Sequence, residues 1–231
     1  DVRAFIESQP IHGNSFSELL AMSELADAPQ LIAMLDQATE EAHWPQIVAL
    51  LAVTHDDTVV DALISFVEKR GLGDRPLSRA HHDARSSAIR SLGFQINRTG
   101  SDVALSYLID GLTPGVWRDR RVEGFVPWTD SYTESDLLLS TYALFGLAFS
   151  GHPRAGDALR ALRDSPRPQQ ALFRSGLDNT LTQWFEVHSL VAERGVAGMY
   201  EYYEAQRQIT YERQLEEPKR MREERAVEES R

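Results

Sequence analysis

The stretch FSGHPRAGDALRALRDSPRPQQALF, Phe149 to Phe173, decides the fold. A helical run stops at Gly151, restarts at His152-Pro153-Arg154, carries one apolar stripe, and stops again at Asp164-Ser165-Pro166. Proline fits the first turn of a helix, where its missing N–H costs nothing. The segment therefore reads as one helix bounded by turns.

Two other stretches fall into register with it. HDDTVVDALISFVEKRG (55–71) and GSDVALSYLIDGL (100–112) each open on a turn and reach a leucine six residues on. The matching leucines are Leu63, Leu108 and Leu159, and the weaker copy ADAPQLIAML adds Leu31. Asp and Ser at these starts suit the N-cap, because their side chains accept orphan backbone N–H groups. The leucines are separated by 32, 45 and 51 residues. Self-similarity at such a period is the signature of a helical solenoid.

Each first helix needs a second to pack on it. ARSSAIRSLG (84–93) and LSTYALFGLA (139–148) share one spacing, with Ala88 and Ala143 in the same place, followed by Leu92 and Leu147. Small residues at these points allow close helix approach, and the larger ones fill the gap between layers. WPQIVALLAV supplies the first copy, where Trp44, Ile47, Val48 and Leu51 share one face.

GHPRAGDALRALRDSPRP and DARSSAIRSLG resemble the HEAT repeat, in the short subtype named after phycobilisome lyases. That family's pattern is a G-D-P-R-A start, A-L in the first helix, then V-R-x-x-A-x-x-A-L-G in the second. The resemblance covers roughly residues 26–180 and departs from the pattern at Val60, where the family has arginine. It implies an all-α fold, an α-α superhelix (a right-handed HEAT/armadillo-like solenoid) of about four helix pairs plus a C-terminal helical extension. Residues 1–199 would form the solenoid and 200–231 the charged extension.

The excess length in the longer intervals falls between the first and second helix of a repeat, at 71–81 and 113–135. Insertions at the same point of successive repeats project from the same edge. Together these loops carry Arg75, Arg79, Arg118, Arg120 and Arg121, with Trp117, Phe125, Trp128 and Tyr132. Arginine and aromatic residues carry most binding energy at protein interfaces. The competing reading is that the aromatics fold back over the core and the arginines are ordinary solvated charge.

Composition narrows the function classes. The chain has 231 residues, 35 acids against 24 bases, and a formal net charge of −11. Residues 1–70 hold 12 acids and 3 bases, while 71–200 balance. Nucleic-acid binding needs clustered positive charge, so a duplex groove is disfavoured. The acidic first third could meet a basic partner, although a solubilising cap over the solenoid end is the favoured reading. With no cysteine there is no disulfide, thiol nucleophile or thiolate metal site. The longest apolar run, 137–149, is too short to span a bilayer and reads as a buried helix. No signal peptide is visible. The cytoplasm is the expected compartment, and a leader removed ahead of Asp1 stays open.

No catalytic constellation emerges. His81-His82-Asp83 is the one histidine cluster, but helix neighbours point about 100° apart and make a poor bidentate ligand. Within the repeat class, deoxyhypusine hydroxylase binds iron through His-Glu dipeptides, and this chain has none. Neither G-x-S-x-G nor a glycine-rich phosphate loop occurs. Trp184, Phe185 and His188 sit at core spacing in a helical run from about Pro168 to Arg194. Beyond Tyr200, 16 of 31 residues are charged, pairs such as Glu216/Arg220 stand four apart, and Pro218 interrupts the run. That tail reads as a solvated helix or as a docking arm.

The sequence thus favours a non-enzymatic scaffold or adaptor that binds another protein, with an acidic patch as its complement. It assigns no cofactor, metal or catalytic residue. The alternative is a phycobilin-lyase-like enzyme, or another small-molecule site on the concave face.

Overall fold

The computed structural model describes residues 1–8, 15–69, 78–122, 132–165 and 177–229, with side chains described except at 38, 132–134, 177–181 and 212–229. The chain is all-α, and no strand occurs among the described residues. Its elements are α1 (Val2–Glu7), α2 (Phe16–Ser23), α3 (Ala28–Leu35), a 3-10 segment (Ala38–His43), α4 (Trp44–Val53) and α5 (Val59–Glu68). They continue with α6 (Arg79–Thr99), α7 (Asp102–Asp110), α8 (Val116–Asp119), α9 (Tyr132–Ser150), α10 (Pro153–Arg163) and α11 (Leu177–Glu229).

Turn residues set the helix boundaries. Ser101 Oγ accepts from the Ala104 N–H at 3.2 Å and opens α7. His152 Nδ1 does the same for Arg154 at 3.2 Å, with Pro153 as the first residue of α10. Ser15 and Glu18 close a reciprocal capping box on α2. The apolar run 137–149 lies inside α9.

The helices associate in pairs. α3 packs on α4, α5 on α6, α7 on α9, and α10 on α11. First helices touch their successors, α3–α5–α7–α10, and second helices do likewise, α4–α6–α9–α11. Leu31, Leu63, Leu108 and Leu159 occupy the four first helices, and all four are buried. Trp44, Ile47, Val48 and Leu51 are fully inaccessible on α4.

Contacts between second helices rise together in sequence, which fixes their direction. Trp44 meets His81, and the Gln95 amide meets the Leu51 carbonyl. Arg90 lies over Tyr142, and the Asn97 amide reaches the Ser150 carbonyl at 3.0 Å. The Phe145 and Trp184 rings lie tilted at 4.1 Å, and Gly151 sits against the backbone of Val191 and Ala192. The second helices are therefore parallel, and their N-terminal ends share one edge.

The tightest crossing is between α6 and α9. A Cβ built on Gly93 would lie 1.9 Å from the Gly146 carbonyl oxygen, so the two backbones are in direct contact there. Every side chain is excluded from Gly93 unless the helices separate.

Two features of α11 depart from expectation. The helix runs on through Pro218 to Glu229, where the sequence suggested an interruption. The backbone instead breaks at Gly195, with φ 70° and ψ 176°, a region open essentially to glycine alone. Beyond that break Val196 and Met199 are buried, and Tyr200 and Tyr203 pack against the core. From Glu204 to Tyr211 every residue is exposed.

Two stability measurements check this account. Gly93→Ala should destabilise the chain by about 3 kcal/mol or more through overpacking. Leu108→Ala should cost about 2–5 kcal/mol through the opposite defect, a cavity. Urea titration that finds Gly93→Ala neutral would remove the close crossing. Deleting residues 219–231 should move the melting temperature by less than about 3 °C, because exposed charged pairs contribute little.

Candidate functional site

The connector between α7 and α9 is built around a buried indole. Trp117 is fully inaccessible, and its Nε1–H donates to the Gly111 carbonyl at 2.9 Å and to Ser140 Oγ at 3.2 Å. It thus satisfies a carbonyl at the C-terminal end of α7, as Trp44 does for Met34 of α3 at 3.1 Å. Asp136, in the first part of α9, accepts from the backbone N–H groups of Gly115 at 2.7 Å and Trp117 at 3.1 Å. A carboxylate and an indole therefore pin residues 115–122 to the helix pair beneath.

The expected site residues separate into two groups on this platform. Trp117 is core, not surface, because its N–H has a structural partner inside. Arg120 is also withdrawn: its side chain is 17% exposed, against 66% for Arg118. Its guanidinium stacks 3.9 Å from the Tyr107 ring centroid and donates to the Tyr107 carbonyl at 3.3 Å. Burial raises the Tyr107 phenol well above its ordinary range, with Glu68 adding to the shift.

Arg118 and Arg121 remain exposed. Arg118 has one loose partner, Asp119 at 3.9 Å, and Arg121 has no ion pair among the described residues. Arg121 adopts φ 58°, a left-handed conformation rare outside glycine. Arg79 is exposed too, but it opens α6 rather than lying in a loop, with Asp83 at 3.7 Å. The insert placed at 71–81 thus gives way to helix by Arg79, since Ser78 caps α6 through the His81 N–H at 3.1 Å. Arg75, Phe125 and Trp128 lie outside the described residues, as does the side chain of Tyr132 at the start of α9.

The opposite side of the second-helix layer holds a cavity of about 190 Å³. Its floor is made of small residues, Ala49 and Ala52 of α4 with Ser87 and Ser91 of α6. Its roof comes from both ends of the chain, where Phe16 of α2 stacks at 4.6 Å on Tyr200 of α11. Phe94 and Phe149, stacked at 5.0 Å, close one side. Arg90 is the one charged lining residue among those described. Sequence reasoning missed this cavity, since its walls come from segments that share no motif.

His81 packs among aromatic rings. Its ring is buried, stacked at 5.3 Å on Phe66 and edge-on at 5.0 Å to Trp44. Burial pushes its pKa down to about 3, helped by the charges of Arg85, His82 and Lys69. Among the described residues no three His, Cys, Asp or Glu side chains converge as metal ligands. No described helix is long and apolar enough to cross a membrane.

No family model matches this chain, and no curated protein or solved structure shows significant similarity to it.

The His81 arrangement has a pH consequence. The folded pKa lies below the unfolded value of about 6.5, so the unfolded chain binds the extra proton. The stability due to a neutral His81 is complete above pH 6.5 and is lost as pH falls toward 3. His81→Phe keeps the ring stack and removes the titration. Between pH 6 and 4 it should flatten the pH dependence of unfolding free energy by about 1.4 kcal/mol per pH unit. Parallel curves for the two proteins would show that His81 is not held neutral.

Proposed function

We propose that the helix pairs form a HEAT-like right-handed superhelix that serves as a protein-binding scaffold. Its contact surface is the edge that carries the long connectors, and its partner is acidic. The observation that supports this reading is the parallel register of α4, α6 and α9. That register brings the N-terminal ends of α6 and α9, and so Arg79 and the 115–122 platform, to one edge. Arg118 and Arg121 are presented there by a rigid support, so little side-chain order is lost on binding. Arginine grips carboxylates in bidentate fashion, which favours an acidic surface as complement. The left-handed Arg121 is consistent with a position held for contact rather than for stability.

The phycobilin-lyase-like alternative draws less support. A cavity of about 150 Å³ takes one benzene ring. The accessible 190 Å³ is of single-ring scale, which favours a small ligand over a bulky tetrapyrrole.

The test uses Arg79→Ala/Arg118→Ala/Arg121→Ala, which leaves the packed Arg120 and Trp117 in place. Wild type and triple variant are used as baits in lysate of the source organism, with bound proteins quantified by mass spectrometry. At least one acidic protein should fall by about tenfold or more on the variant, with the melting temperature shifted by less than about 3 °C. Retention should also weaken as salt rises. Identical bound sets on the two baits would remove this edge as the contact surface.

A further inference from the structure

The concave cavity combines two properties that a packing defect would not share. It is walled by aromatic and small apolar side chains, and it is served by one cation. Arg90 donates through Nη2 to Ser87 Oγ at 3.1 Å and lies over the Tyr142 ring at 5.6 Å. Its Nε is buried without a hydrogen-bond partner, and no carboxylate pairs with it among the described residues. Among the described residues no Asp or Glu lines the cavity. A guanidinium that lines an apolar void, with no carboxylate paired to it among the described residues, lacks the anion that would ordinarily accompany it.

We propose that this cavity binds a small aromatic carboxylate. The ring lies among Phe16, Phe94, Phe149 and Tyr200, over the floor of Ala49 and Ala52. The carboxylate faces Arg90, with the Ser87 hydroxyl beside it. Size sets the class: a void slightly larger than one that holds benzene admits a single ring and a short acidic arm. Charge sets the functional group, because an amide or alcohol would leave the arginine uncompensated. The proposal is independent of the connector edge, since it shares no residue with it.

Isothermal titration of the full chain with phenylacetate and its neutral isostere phenylacetamide reads both properties. Phenylacetate should bind saturably at one site, and the amide about tenfold or more weaker, the scale of one charge-assisted hydrogen bond. Arg90→Gln should erase that preference, while Arg90→Lys should retain part of it. Ala49→Leu, which fills the void, should abolish binding of both probes without loss of thermal stability. Absence of binding at millimolar phenylacetate, or equal affinity for acid and amide in the wild type, would overturn the proposal. So would a preference that survives Arg90→Gln. Tighter binding of a long-chain fatty acid than of phenylacetate would overturn the single-ring assignment.

Discussion

The backbone contact between Gly93 and Gly146 sets the geometry of the rest. It brings α6 and α9 together with no side chain between them. At that separation the flanking polar groups of α6 reach both neighbours. Gln95, fully buried, donates to the Leu51, Ala52 and Thr54 carbonyls at 2.7, 3.1 and 3.1 Å, satisfying the end of α4. Two residues later Asn97 serves the end of α9 through Ser150. Helix C-termini leave four carbonyls without intrahelical partners, and here one helix supplies partners for two others. A wider α6–α9 crossing would cost the Ser150 carbonyl its Asn97 partner, at about 1–3 kcal/mol.

What the sequence discloses is helical apolar spacing. The four leucines and the Trp44 face follow it, so their burial was legible from pattern alone. Ala88, Leu92, Ala143 and Leu147, all fully buried, were legible for the same reason. Trp117 was not. Its composition suits an interface as well as a core, and only the Gly111 carbonyl and Ser140 hydroxyl in space decide between them. Arg120 likewise needed Tyr107 to be seen beneath it. The cavity left no signal, because Phe16 and Tyr200 lie far apart in sequence and share no motif.

The acidic first third acquires a structural use that charge counting does not reveal. Glu40 is buried and accepts both Nη1 contacts of Arg3 at 3.0 Å, with His43 at 3.2 Å. Burial alone would raise its pKa, but the bonds from Arg3 and His43 outweigh that and hold it below the usual range. Lys69 similarly joins the ends of α3 and α5 through the Leu35 carbonyl at 2.9 Å and Asp36 at 3.0 Å. Part of the negative charge therefore tethers helix ends rather than only solvating a surface.

The stacked rings of Phe16 and Tyr200 also change the mechanics of the assembly. In an open stack of helix pairs each unit leans only on its neighbours, so either end can fray by itself. Here Phe16 of α2 and Tyr200, beyond Gly195, meet over the cavity floored by α4 and α6, which links the two ends of the helix series. Loosening one terminus then removes a support of the other. The clasp couples α2 to the segment beyond Gly195, so uncovering the cavity beneath them and loosening either segment become the same motion.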